Sequence, residues 1–322
     1  MIRLEDSIWD SVPLLKAEMM AFEQMLRDEF AGGSFIQAAA SELIFRGGKR
    51  LRPAMTIAAA HLNQYSQDKA FPVAMAIEAI HTATLVHDDV IDHAETRRGE
   101  TTIHALHGNH IAIYTGDFLL ARGLKQIAKS GLAINDMAKI AGAVEVICTG
   151  EVSQYLGRNK LPGYRAYLRR IMSKTGILFA ASASFGGYCG DLSEEQMKTL
   201  WHFGMRFGAA FQIRDDIIDM DENQKTAGKP TGNDLLEGII TLPVLFAAAD
   251  KNYRHLLNQF FSSKRDPEKI KSLIRLAREL GAMDQTKDIL NRQTQRCNQI
   301  LEQLPDNEGK TMLRKLVQLL EI

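Results

Sequence analysis

The chain alternates between long stretches rich in Ala, Leu, Ile, Met, Glu and Lys and short clusters of Gly, Pro and small polar residues. The stretches consist of good helix formers, and only 8 prolines interrupt 322 residues, so the pattern predicts an all-α protein. Gly32-Gly33-Ser34 and Gly47-Gly48 bracket a short helix, and Pro53 sits near the start of the next, where proline is tolerated. Pro72 opens a stretch free of Gly and Pro, residues 73–98, long enough for a helix of several turns. The polar residues 95–102, with Gly99, read as a loop, and residues 157–163, with Pro162, as a further break. Asp191 or Ser193 offers an N-cap, Asp266-Pro267-Glu268 is a helix start, and Pro305-Asp306 ends a later helix. Residues 221–238, with Gly228, Pro230, Gly232 and Gly238, form the longest irregular stretch and follow an acidic helix, which makes them a candidate lid. With no repeat, low-complexity tract or compositional boundary, one domain over residues 1–322 is expected.

Composition narrows the class. Hydrophobic residues at 45% and charged residues at 24% are ordinary for a soluble globular protein. The 39 Lys and Arg balance 39 Asp and Glu, which argues against a nucleic-acid binder, so any anion binding must come from local clusters. The three scattered cysteines, Cys148, Cys189 and Cys297, lack metal-type spacing and read as reduced thiols of a cytoplasmic protein. No signal peptide and no uninterrupted apolar run of about 20 residues is apparent, so no transmembrane segment is expected. A peripheral visit to a membrane surface is compatible with these features.

The chemistry lies in a short internal echo. Val86-His87-Asp88-Asp89-Val90-Ile91-Asp92 and Ile213-Arg214-Asp215-Asp216-Ile217-Ile218-Asp219 both carry Asp-Asp-x-x-Asp inside apolar, helix-length stretches. On a helix, residues i and i+4 share a face about 6 Å apart along the axis, so Asp88 projects with Asp92 and Asp215 with Asp219. Stacked carboxylates repel, and a hard divalent cation relieves the repulsion. Magnesium suits them, because it takes oxygen ligands from one or two carboxylates and completes its shell with substrate phosphates. One such motif alone would read as a solvated acidic turn. Two copies with apolar flanks point to several magnesium ions shared with a diphosphate, clamped between two helices.

Cations accompany the motifs. Gly47-Gly48-Lys49-Arg50-Leu51-Arg52-Pro53 runs a glycine turn into a helix start, which offers free N–H groups to an anion. Arg97-Arg98-Gly99 follows the first acidic motif, and Lys174-Thr175-Gly176 and Lys229 add donors. Each pair alone reads as an exposed basic face; together they suffice to neutralise two diphosphates, one through metal and one directly. Ile80, Thr84, Asp88 and Asp92 form an i+4 row beside His81, with small Ala83 and Thr84 above Ile80 and Ile77. That row reads as an apolar channel with metal at its mouth, or equally as ordinary core packing. Gly204, Gly208, Gln212 and Asp216 form a similar row with a polar end.

These residues resemble the trans-prenyl diphosphate synthase (polyprenyl synthetase) family over nearly the whole chain. GGKRLRP, HDDVID followed by RRG, FQIRDDIID, and GKPTGND with TLP occur in the family's order. The resemblance implies an antiparallel helical bundle around a deep central cavity (the isoprenoid synthase fold), usually dimeric, or a heteromer with a small regulatory subunit. It implies head-to-tail condensation of isopentenyl diphosphate with an allylic diphosphate, with Asp88, Asp89, Asp92, Asp215, Asp216 and Asp219 at the metal. Asp88, Asp92, Asp215, Asp216 and Lys174 would be catalytic, with Asp89 and Asp219 more often supporting. Lys49, Arg52, His81 and Arg98 match positions that hold isopentenyl diphosphate. Arg97, Lys174, Thr175, Gln212 and Lys229 match positions around the allylic diphosphate. Ile77, Ile80, Ala83 and Thr84 would set product length, and the first motif looks most like medium- and long-chain enzymes, such as a heptaprenyl synthase catalytic subunit. A farnesyl or geranylgeranyl product is the shorter alternative. Ile239 departs from the family, which often carries Lys or Asn there, so lid closure is expected to differ. A terpene cyclase would need only one acidic motif and no second set of cations, and a non-catalytic partner subunit would need neither aspartate motif.

Overall fold

The computed structural model describes residues 9–46, 48–97, 99–221, 231–263 and 266–322. Residues 47, 98 and 229, and most of the candidate lid, therefore lie outside it. Among the described residues the only strands are β1 (Thr96–Arg97) and β2 (Glu100–Thr101), an antiparallel pair with Thr96 opposite Thr101 and Arg97 opposite Glu100. Everything else regular is helical. The chain divides into two compact units: residues up to Ala141 with Leu178–Gly204 and Ile300–Leu319, and Gly142–Ile177 with Met205–Gln299 and Leu320–Ile322.

The first unit is built on α3 (Leu51–Ala60) and α4 (Gln67–Ile91). Residues 70–80 of α4 are all buried, an all-round burial that marks a central helix. By length and composition α4 would pass for a membrane span, but 72% of its most apolar window is buried inside the protein. Pro72 lies inside α4, not at its start, with Gln67 opening the helix. The ring removes one backbone bond at a cost of about 3 kcal/mol. Burial at roughly 1.5–3 kcal/mol per large apolar side chain, here Phe71, Val73, Met75, Ile77 and Ile80, exceeds that loss.

Against α3 and α4 pack α1 (Pro13–Phe30), α2 (Phe35–Phe45), α5 (Ile103–Lys129) and α15 (Glu308–Gln318). Ser34 starts α2 with a capping box: its hydroxyl accepts from the Gln37 N–H while the Gln37 side chain accepts from the Ser34 N–H. Helix α5 approaches α4 closely because Gly116 and Gly123 lack side chains; a Cβ on Gly116 would strike the His87 ring, and one on Gly123 would lie 3.2 Å from the Ala76 carbonyl. Gly108, at φ +82°, kinks α5 one turn after its start. Residues 95–97 and 99–102, within the stretch read as a loop, carry the β1–β2 pair, whose base is tied by the Thr102 hydroxyl donating to Ala94 O (2.7 Å).

The remaining helices are α6 (Ile134–Leu156), α7 (Tyr164–Ile171), α8 (Ile177–Cys189), α9 (Glu194–Asp219), α10 (Asn233–Leu236), α11 (Leu242–Ala247), α12 (Lys251–Ser262), α13 (Pro267–Glu279) and α14 (Ala282–Leu301). Ser193 caps α9 by accepting from the Gln196 N–H, as one of the two expected residues, and Asp266 caps α13 by accepting from the Glu268 N–H at 2.9 Å. Between α7 and α8 the backbone widens into one π-turn, Met172–Gly176. The three cysteines are free thiols, Cys148 exposed and the other two buried.

Candidate active site

Both acidic motifs close a long helix. Asp88 and Asp89 lie in the last turn of α4, with Asp92 as its C-cap, and Asp215, Asp216 and Asp219 lie in the last turns of α9. Neither helix has a basic residue in its last turn. The C-terminal end of a helix dipole disfavours anions, so each triplet adds negative charge where the backbone already supplies some. Such a donor set, all carboxylate oxygens, fits a hard divalent cation. Among the described residues no three carboxylate, His or Cys groups converge as a self-sufficient chelate.

In the first unit, Asp88 is half-buried and Asp92 exposed, whereas Asp89 is buried and accepts from Arg97 Nε at 2.6 Å. Asp89 and Arg97 line a pocket together with His81, Arg46, Arg50 and Glu78. Lys49 is exposed, and the Arg52 guanidinium stacks over the Phe179 ring at 4.4 Å from its centroid. Lys49 and Arg52 flank Arg50, which takes a left-handed backbone (φ 47°) as N-cap of α3 and turns inward. Arg50 Nε donates to Glu23 and Nη1 to Glu78, both at 2.6 Å, and Nη2 donates to Ile44 O. Burial pulls its pKa down, but Glu78 and Glu23 outweigh burial and leave it raised, so the guanidinium stays charged.

The expected channel residues Ile77, Ile80 and Ala83 are fully buried, and the Thr84 hydroxyl, half-buried, donates to His81 O at 2.8 Å. The Ile80 side chain packs at Gly123 of α5.

In the second unit the structure assembles Lys174, Thr175, Gln212 and Asp216. The π-turn carries Lys174, whose ammonium pairs with Glu151 at 2.8 Å, and Thr175, whose hydroxyl donates to Gln212 Oε1 at 3.0 Å. Gln212 Nε2 donates to Asp216 Oδ1 at 3.1 Å. The other oxygen of Asp216 accepts from the Tyr167 hydroxyl at 2.8 Å and the Leu242 N–H at 2.9 Å. Burial pushes the Asp216 carboxyl up to about 6 against the opposing pull of these donors. Asp219 accepts from the Asn233 N–H at 3.1 Å, which fastens α10 to the end of α9. The segment before α11 is held from α7 as well, through Arg170 to Ile240 O at 2.5 Å. Ile239 donates its N–H to Asp234 O at 2.8 Å.

Sequence reasoning missed Arg50, Glu23, Glu78 and Tyr167. Glu78 left a signal, a lone carboxylate within the otherwise apolar run 70–80, which demands a buried cation. Tyr167 left none, because one aromatic residue in an amphipathic helix does not show which carboxylate it will meet.

A family model described as polyprenyl synthetase matches residues 34–277. The chain belongs to the polyprenyl synthetase family. It is 38% identical over 281 residues to heptaprenyl diphosphate synthase component 2 of Geobacillus stearothermophilus, covering 86% of this chain and 87% of that one. It is 33% identical over 311 residues to the nonaprenyl diphosphate synthase of Mycobacterium tuberculosis, covering 94% and 91%. A polyprenyl synthase crystal structure from Caulobacter crescentus, complexed with calcium and isoprenyl diphosphate, superposes with a TM-score of 0.89 at 32% identity over 96% of this chain and 95% of that one. The helical architecture is therefore the isoprenoid synthase fold of this family.

Proposed function

We propose that the chain condenses isopentenyl diphosphate head-to-tail with an allylic diphosphate and releases a medium- or long-chain all-trans polyprenyl diphosphate. The observation that carries this reading is the pair of aspartate triplets, each closing a long helix that has no basic residue in its own last turn. Asp88 and Asp92, and Asp215 with Asp219, are the residues to hold magnesium together with oxygens of the allylic diphosphate; the calcium in the Caulobacter crescentus structure supports a divalent ion. Magnesium, when bound, stabilises charge on the departing diphosphate as a Lewis acid. Asp89 and Asp216, buried and hydrogen-bonded, hold the turns that present their neighbours. The roles expected for Asp216 and Asp219 are thereby exchanged, because both oxygens of Asp216 already accept from Gln212, Tyr167 and the Leu242 N–H. Lys174, Thr175, Gln212 and Arg97, with Lys229, bind allylic diphosphate oxygens, and Lys49, Arg52, His81 and Arg98 bind isopentenyl diphosphate. Apolar walls exclude water from the reacting carbons.

Arg52→Ala is expected to raise the KM for isopentenyl diphosphate by about 10- to 100-fold, the scale of one charged hydrogen bond, while leaving that for the allylic substrate near wild type. Steady-state kinetics with each substrate varied in turn reads this. An equal rise for both would remove the dedicated second site.

Product length is proposed to be set along α4 below Asp88. Ile80 lies roughly 12 Å and Ile77 roughly 16 Å down the helix from it, and a hexaprenyl to octaprenyl product is expected. Ala83→Phe, at a position with no exposed surface, should shorten the product sharply and lower the melting point through overpacking. Chromatography of the dephosphorylated products reads the change; an unaltered ladder would mean that this face of α4 does not line the channel.

A second reading, a catalytic subunit active only with a partner, is favoured by the component 2 names of two relatives. A homodimer is the alternative. Turnover of the purified chain alone, compared with turnover after adding a candidate small subunit, separates the two.

A further inference from the structure

We infer that Arg46 is a positioning residue for isopentenyl diphosphate, a clasp that fixes the β1–β2 hairpin to the end of α2. The inference rests on the proposed assignment of Lys49 and Arg52, in the GGKRLR turn, to isopentenyl diphosphate.

Arg46 is the C-cap residue of α2, three positions before Lys49. Its Nη1 donates to Thr101 O on β2 at 2.6 Å, its Nε lies 3.0 Å from a Glu100 carboxylate oxygen, and its Nη2 donates to Glu42 at 2.6 Å. Glu100 and Thr101 are the whole of β2, and their register partners are Arg97 and Thr96. From the other strand Arg97 reaches Asp89 at the end of α4. The hairpin is thus strung between Asp89 and Arg46 by charges of alternating sign: Asp89, Arg97, then Glu100, Arg46 and Glu42.

A hairpin with two residues per strand has no apolar core, and an isolated one is marginal in water. Its position is therefore set by its anchors. The Arg46 side chain is only 18% exposed, against 55% for Glu100, so its bonds are less screened than those of a surface pair. Arg46 thereby ties the turn leading to Lys49 and Arg52, the proposed isopentenyl diphosphate cations, to the hairpin, which is itself anchored at Asp89 through Arg97. Without it, Arg97 and the hairpin keep the Asp89 anchor and the base, so the allylic side is held, whereas the end of α2 that leads to Lys49 and Arg52 loses its tie.

The test is steady-state kinetics on the intact enzyme for Arg46→Met and Glu100→Gln, with Arg52→Ala as reference. Arg46→Met is expected to raise the KM for isopentenyl diphosphate about tenfold while leaving kcat and the KM for the allylic diphosphate within about threefold. Glu100→Gln keeps the bond to Thr101 O and should raise the same KM about twofold to threefold. The double variant should fall short of the product of the single effects, because both act through one clasp. A lower melting point with an unchanged KM for isopentenyl diphosphate would show a purely structural role and overturn the inference. An equal rise in both KM values would overturn it too. If Arg46→Met does not fold, Glu100→Gln decides alone, and an unchanged KM there rejects the clasp. In each case a raised KM in Arg52→Ala leaves the site assignment standing. If Arg52→Ala is also unchanged, the site assignment fails and the inference fails with it.

Discussion

Asp88→Ala and Asp215→Ala are each expected to lower turnover by on the order of 10²–10³-fold, the loss seen when one element of preorganised charge stabilisation is removed. Folding should barely respond. Each carboxylate sits at the negative end of its helix with other aspartates beside it, so its removal relieves repulsion. The expected change is about 1 kcal/mol, the typical size for a point substitution, or a degree or two in melting. Raising magnesium should recover part of the lost rate, because affinity for the ion is what the substitution weakens. Turnover assays beside circular dichroism melts read both halves. Near-native turnover in either variant would remove its triplet from the metal site.

Arg50→Met is expected to do the reverse and act first on stability. The substitution would leave Glu23 and Glu78 in the interior without their cation, and one Glu23 oxygen already has no hydrogen-bond partner. Breaking a buried pair in this way costs about 3–5 kcal/mol, which lowers the melting point by roughly 4–7 °C for a protein of this size. Because Arg50 is also the N-cap of α3 between Lys49 and Arg52, activity should fall with stability. Replacing all three charges together by apolar residues should restore much of the melting point, since a buried ion cluster is often matched by well-packed hydrophobic side chains. If Arg50→Met melted like the wild type, the cluster would be doing nothing for the fold.

Helices were legible because their signals are local. The capping box at Ser34, Asp266 ahead of Pro267 and the glycine breaks each act within a few residues, and the structure has the helix ends where those residues stand. Pro72 shows the limit of that reading, since burial of the whole α4 overrides one breaker. The hairpin was invisible for a related reason: two strands of two residues carry no alternation, and distant side chains at Asp89 and Arg46 hold them. The aspartate motifs were legible because i, i+4 spacing alone puts two carboxylates on one face. Arg50 and Arg52 look alike in the sequence, yet one points into a carboxylate pair and the other lies over Phe179. That difference follows from the left-handed turn at Arg50, which no residue type there announces. The π-turn under Lys174 and Thr175 was hidden in the same way, as an insertion in otherwise helical backbone.

Incubating the purified chain with isopentenyl diphosphate, farnesyl diphosphate and magnesium, and following inorganic diphosphate release together with product length, tests the central claim most directly. The account predicts one diphosphate released per added five-carbon unit, a product longer than farnesyl, and complete loss of both signals when a chelator removes the divalent ion. Elongation that continued undiminished in the chelator would contradict it.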